Sequence, residues 1–157
     1  LSLYDLISNI VEEYKRNILF LYNDLVVNYE SPSKTIFVTG DRLRLNQVLL
    51  NLLDNAGKFT KKGSITVTTA IMSNKVQVTV KDTGVGIHNE IFPKLFSKFV
   101  TRSDRGTGLG LFISKSIIEA HGGKIWAESS SQQEGATFIF TLPLLDKENV
   151  ERREEND

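Results

Sequence analysis

The chain has 157 residues, of which 40% are hydrophobic and 24% charged, the balance of an ordinary globular protein with core enough for one domain. Nineteen basic residues against nineteen acidic ones leave no net charge, so the composition favours neither nucleic acid nor an anionic membrane as a partner. With no cysteine there are no disulfides, no thiol catalysis and no cysteine-ligated zinc, and no apolar run approaches the roughly 18–20 residues of a membrane span or forms a secretory signal.

At the amino end Leu3, Leu6, Ile7, Ile10, Val11 and Tyr14 recur at helical spacing behind Ser2, with Asp5 three residues on, which predicts a capped amphipathic helix. "ILFLYN" at 18–23 and "KTIFV" at 34–38 predict two short strands around a polar loop containing Pro32. Asp41 then opens a second helix running to about Lys58. Ile65, Val67 and Ile71, followed by Val76, Val78 and Val80 beyond "SNK", predict a hairpin. A polar, glycine-containing stretch at 82–86 leads to a short helix near 89–98, a glycine loop, and a helix from about 109 to 120 ended by Gly122 and Gly123. "KIWAES" and "ATFIFTL" predict two last strands, stopped by Pro143, with Trp126 and the aliphatic strand residues in the core. Residues 146–157 are nearly all charged and predict a disordered tail, so the domain is 1–145. Strands and helices fall in blocks rather than strict alternation. The architecture predicted is therefore α+β, a two-layer α/β sandwich with helices on one face of a mixed, largely antiparallel sheet.

Three clusters carry the chemistry. In "DRLRLNQVLLNLLDNAGKF" at 41–59, Leu45, Val48, Leu49, Leu52, Leu53 and Ala56 form one helical stripe, and Gln47, Asn51, Asp54, Asn55 and Lys58 lie opposite it. The opposite face reads either as solvated surface or as a site. Asparagine is a poor helix former, and two of them one turn apart with Lys58 next to them suit a site: amide oxygens are hard neutral ligands for Mg2+, and a lysine is a point charge for phosphate. In "KDTGVGI" at 81–87, Asp82 ends a strand beside Gly84 and Gly86. That is either a plain turn or a carboxylate that accepts from an exocyclic amine, with glycines that let a flat ring approach the backbone.

The third cluster is "DRGTGLGLFISKSI" at 104–117, with Gly106, Gly108 and Gly110 directly before a helix. Glycines there cost backbone entropy, and they expose N–H groups and a helix N-terminus to an anion; a flexible turn is the plainer alternative. The spacing does not fit G-x-G-x-x-G, no strand precedes it, and no G-x-x-x-x-G-K-[ST] run exists.

Taken in order, Asn51/Asn55/Lys58, Asp82/Gly84/Gly86, "FPKLFSKF" at 92–99 and Gly106/Gly108/Gly110 resemble the N, G1, F and G2 boxes of the histidine-kinase ATP-binding domain, a branch of the ATPase superfamily that also holds gyrase and MutL. The resemblance runs from about Leu1 to Leu144 and is closest in "QVLLNLLDNAGKFT" and "GTGLGLFISKSIIEAHGGKIWAES". It implies an ATP lid hinged at the glycine loop, with Gly106, Thr107, Gly108, Leu109 and Gly110 over the phosphates. It further implies that Asp82 binds the adenine amino group, that Thr137 assists through water, and that Asn51 and Asn55 hold Mg2+. Lys58 would contact phosphate and Phe59 flank the base, while Phe92, Phe96 and Phe99 would pack the lid root.

Two departures from the pattern stand out. Many members carry an arginine two residues after the phenylalanine matched by Phe99, but here Thr101 stands there and Arg102 follows, which leaves Lys98, Arg102 and Arg105 as candidates for the γ-phosphate; the lid is also short. In addition, neither His88 nor His121 lies in the family's H-[DE]-x-x-[TN]-P acceptor context. The resemblance thus implies the ATP-dependent catalytic part of a sensor histidine kinase of a two-component system, acting on a histidine carried by separate dimerisation (histidine-phosphotransfer) helices, with a response regulator receiver domain downstream. It implies a cytoplasmic domain that touches neither nucleic acid nor membrane directly, within a parent that can be membrane-anchored; the start at Leu1 rather than methionine predicts a piece of a longer protein. One alternative is a hydrolysing gyrase/MutL-like switch, whose members have a glutamate at the position of Asn51 to activate water. Another is a degenerate domain that binds partners without nucleotide.

Overall fold

The structure, a computed structural model, describes residues 1–19, 24–100, 107–129 and 134–145. Helix α1, Leu3–Leu19, begins where the Ser2 hydroxyl accepts the Asp5 N–H at 3.2 Å. Its six predicted apolar positions are all buried, and the Tyr14 hydroxyl donates to the Leu53 carbonyl at 3.0 Å, which fastens α1 to the second helix. That helix, α2, spans Arg42–Phe59 and is capped by Asp41, whose Oδ1 accepts from Leu43 N at 2.9 Å and Arg44 N at 3.1 Å. Its buried residues are the predicted stripe Leu45, Val48, Leu49, Leu52, Leu53 and Ala56. Truncating one of them, such as Leu52, to alanine costs about 2–5 kcal/mol.

Five strands form one sheet in the order β1-β2-β3-β5-β4: β1 Leu25–Glu30, β2 Gly63–Met72, β3 Lys75–Asp82, β4 Ile125–Ser129 and β5 Ala136–Pro143. β1 runs parallel to β2 and the other pairs are antiparallel, so the sheet is mixed and largely antiparallel as the sequence predicts. The buried faces of α1 and α2 pack on the sheet residues Ile65, Val67, Val76, Val78, Val80, Phe138 and Phe140. Helix α3, Gly110–Ala120, packs on α2 and reaches β4 and β5. At its end His121 bridges the helices: Nδ1 lies 2.7 Å from the Ile117 carbonyl and Nε2 accepts the Asp41 N–H at 3.0 Å.

Several local expectations are corrected. Ile18 and Leu19 of "ILFLYN" belong to α1, and the strand begins only at Leu25. Ile18 continues the stripe one turn after Tyr14 and is buried, and a short apolar run does not by itself distinguish helix from strand. "KTIFV" is not a strand of the sheet. Ile36 and Val38 are buried, but this segment pairs with the amino end, through Leu3 N to Ile36 O at 2.8 Å and Val38 N to Leu1 O at 3.0 Å. The helix expected near 89–98 shrinks to a single 3-10 turn, Phe92–Lys94, with Pro93 lacking the N–H that a longer helix would use. Trp126 is only half-buried. It pairs with Ile139 on the sheet face turned from the helices, its Nε1 3.4 Å from Glu128 Oε1. Ile71, 48% exposed, sits near the hairpin tip beyond the helical layer. The tail at 146–157 lies outside the described residues.

Candidate functional site

Strand β3 sends Val76, Val78, Val80 and Asp82 to one face, and the first three are core. Alternation therefore carries a carboxylate into the interior: Asp82 is 0% exposed. Its Oδ1 accepts from Gly84 N at 2.9 Å and Ala136 N at 3.2 Å, while Oδ2 has no hydrogen-bond partner among the described residues. A buried carboxylate oxygen left without a donor is costly, and such an atom calls for a ligand donor or a water.

The loop after Asp82 is built on close approach. Gly84 rests on the Phe59 carbonyl, which accepts the Val85 N–H at 3.2 Å, and a Cβ at 84 would overlap that backbone. Its first reason to be glycine is therefore packing against the end of α2. Gly86 has φ +78, and Ser129 holds the loop beyond it, accepting the Ile87 N–H at 3.2 Å and donating to Gly135 O at 3.4 Å. Thr137 is not brought to Asp82. It stands in register with Lys81, whereas Phe138 pairs with Val80 on the buried face, so the Thr137 side chain belongs to the opposite face of the sheet. The alternation Ala136, Phe138, Phe140, Leu142 already contains that signal.

The other end of the site is a cleft of about 160 Å³ lined by Asn51, Asp54, Asn55 and Lys58 of α2, by Leu95 and Val100, and by Thr107, Gly108, Gly110 and Leu111. The polar face of α2 and the glycine loop do meet, except for Gln47, which takes the Arg44 guanidinium at 3.2 Å and lies outside the lining. Asn51 Nδ2 donates to Ser114 Oγ at 3.2 Å, and a Cβ at Gly110 would overlap Asn51 Oδ1. Asn55 Nδ2 is buried without a hydrogen-bond partner among the described residues. Asp54 is exposed at its tip, but the packing around its base still pushes the carboxyl above its ordinary value, and the nearby Lys58 charge works against that rise. Gly108, at φ +71, accepts the Phe99 N–H at 2.9 Å, and Leu109 N lies 3.4 Å from Thr107 Oγ1. The first residues of α3 carry no side-chain cap, which leaves helix N-terminal donors available beside the cleft.

Phe59 and Lys58 also line a second cavity of about 570 Å³ with Lys61, Lys62, Thr83, Gly84 and Val85, so Lys58 stands between the two ends of the site. Of the lid-root phenylalanines only Phe96 packs inward, edge-on to Phe138 at 6.4 Å; Phe92 and Phe99 are exposed, Phe99 by 74%. Lys98 lies over the Phe112 ring at 5.0 Å. Thr101, Arg102, Arg105 and Gly106 lie outside the described residues. Among the described residues no three His, Cys, Asp or Glu cluster as a metal site, so a divalent ion here would rest on the Asn51 and Asn55 amides, water and ligand oxygens, a donor set that suits Mg2+.

Ser114, Ser129 and Thr60, like Lys61, Lys62 and Thr83 of the second cavity, are polar residues of this region that carry no motif. Ser114 alone leaves a trace in the sequence, as a hydroxyl on the same helical stripe as Ile118. Among the described residues no helix is long and apolar enough to cross a membrane.

Comparison with known proteins identifies the family. The chain is 44% identical over 114 residues to the sensor protein FixL of Bradyrhizobium diazoefficiens, covering 70% of this chain and 22% of FixL. The chain thus spans well under half the length of that relative. The catalytic domain of histidine kinase ThkA superposes with a TM-score of 0.80 at 38% identity, covering 91% of this chain and 93% of that one. Full-length ShkA in complex with AMPPNP also superposes at 0.80, at 28% identity, covering 92% of this chain and 30% of ShkA. Residues 40–146, which take in every element from α2 to β5, match the model for histidine kinase-, DNA gyrase B- and HSP90-like ATPases, and the chain belongs to that family as an ATP-binding catalytic domain of the histidine-kinase kind.

Proposed function

We propose that this domain holds ATP and presents its γ-phosphoryl group to a histidine on dimerisation helices outside the chain. The observation that carries the reading is Asp82, fully buried with Oδ1 saturated by two backbone N–H groups and Oδ2 left to accept from the adenine amino group. Phe59 would flank the base at the larger cavity. Lys58, between the two cavities, and the uncapped start of α3 suit the phosphate chain, with Thr107, Gly108, Leu109 and Gly110 beside it. Asn51 and Asn55 would hold Mg2+, which would supply positive charge to offset that of the phosphates. Arg102 and Gly106 remain lid candidates from the sequence.

Transfer then needs positioning rather than covalent help from this chain: the acceptor nitrogen forms the new bond to phosphorus as the bond to ADP breaks. Asn51 has an amide where a gyrase-type hydrolase has a glutamate, and an amide engaged with Ser114 cannot take a proton from water. That favours the kinase over the hydrolysing switch. A response regulator receiver domain is the partner proposed downstream; ThkA is also known in complex with the response regulator protein TrrA.

The test is labelling with γ-labelled ATP. The chain alone should bind ATP, incorporate almost no label and hydrolyse slowly. With the parent's dimerisation helices added, acid-labile phosphohistidine should appear on those helices. Brisk turnover or strong self-labelling by the chain alone would overturn the assignment.

A further inference from the structure

A second buried polar atom sits beside the adenine-side carboxylate with nothing to bind. Thr60, directly after α2, is 1% exposed, and its Oγ1 has no hydrogen-bond partner among the described residues. It lies against Gly84, 2.7 Å from where a Cβ would stand, and the N–H of that same Gly84 donates to Asp82 Oδ1 at 2.9 Å. Two fully buried side chains, Thr60 and Asp82, thus flank one glycine, each with an unused oxygen. Buried hydroxyls find partners in the great majority of cases, because an unpaired one has given up its water for nothing.

The two oxygens differ in what they can do. A carboxylate oxygen only accepts, whereas a hydroxyl also donates. An acceptor beside a donor matches the pairing edge of adenine, which presents the 6-amino hydrogens next to the N1 lone pair. Guanine presents the reverse, O6 beside N1–H. Thr137, the hydroxyl that the family resemblance brings to this task, lies on the other sheet face, and Ala136 contributes only its backbone N–H. Resting on the nucleotide reading above, we propose that the Thr60 hydroxyl is the second group that reads the base, donating to adenine N1 directly or through one buried water while Asp82 Oδ2 accepts from the amino group.

The experiment compares wild type, Thr60→Val, Thr60→Ser and Asp82→Asn by calorimetry with ATP and with 1-deaza-ATP, which keeps the amino group and lacks N1. Valine preserves the shape of threonine, and removing an unpartnered hydroxyl should hold or raise the thermal midpoint of the free chain. Expected is about a 5- to 10-fold loss of ATP affinity in Thr60→Val, recovery in Thr60→Ser, and no further loss in Thr60→Val toward 1-deaza-ATP. Unchanged ATP affinity in Thr60→Val, or equal losses toward both nucleotides, would overturn the role of Thr60 even where Asp82→Asn weakens ATP binding as the function requires. A wild-type chain that binds no ATP would instead sink the functional reading and this inference with it.

Discussion

Asn51 and Ser114 meet across the floor of the cleft, the amide Nδ2 of one donating to the hydroxyl of the other at 3.2 Å, and Gly110 leaves the space in which Asn51 Oδ1 lies. α2 and α3 are therefore coupled at the side chain proposed to hold the metal, and the tolerance of the joint is less than one methyl group.

Gly110→Ala tests that coupling. Alanine at the first position of α3 gains at most a few tenths of the roughly 0.5–1 kcal/mol it gains inside a helix, while moving the Asn51 amide off Ser114 leaves a buried hydroxyl unpaired at about 1–3 kcal/mol, so stability should fall modestly. The added Cβ displaces the Asn51 amide, and ATP affinity in the presence of Mg2+ should fall about tenfold, the loss of one charge-assisted contact. The loss should shrink when Mg2+ is removed. Calorimetry with and without the ion checks it, and an equal loss in both conditions would refute a metal role for Asn51.

Asp82→Asn keeps an oxygen for the Gly84 and Ala136 N–H groups but turns an amide donor toward the adenine amino group. Losing a charged acceptor costs about 1.5–3 kcal/mol, so ATP affinity should drop roughly 10- to 150-fold. Unchanged affinity in a titration would remove Asp82 from the adenine site.

Gly108→Ala should loosen the lid root. At φ +71 an alanine costs roughly 1–2 kcal/mol of backbone strain, and its Cβ would stand 2.5 Å from the Phe99 carbonyl carbon. The Phe99 N–H to Gly108 O bond should open, giving faster hydrogen exchange at Phe99 and weaker nucleotide binding. Exchange at Phe99 no faster than in the wild type would count against this picture.

Asp54 gives a pH signature. Its carboxyl is raised by burial, so the folded state holds the proton more tightly than the unfolded one. The resulting stability is fully present below the ordinary aspartate range and is lost as pH rises through the raised folded value. At neutral pH the ionised group is a small cost, because the side chain is exposed and solvent screens most of it. Asp54→Asn should therefore melt at or above the wild-type temperature at pH 7, with the advantage closing on acidification. Thermal melts across that range check the sign, and a variant that loses stability only at neutral pH would contradict it.

Sequence periodicity determined the framework that carries the site. The six-residue stripe of α2 is the buried stripe, Asp41 is its cap, and the hairpin and glycine loop fall where turn chemistry puts them, because each of these depends on neighbours within a few residues. The ordered boxes likewise announced the family, since they record local backbone needs: the close approach at Gly84 and the positive φ at Gly86 and Gly108. What lies across the fold was not written locally. Asn51 and Ser114 are 63 residues apart and Asp82 and Ala136 are 54 apart, and no period links them. Only the stacking of α3 on α2, and of β5 beside β3, decided that Ser114 holds Asn51, that Thr137 faces away while Thr60 faces in, and that Trp126 stands outside the helical layer. A side chain's period tells which way it points from its own backbone. What it meets there is set by packing between elements distant in sequence.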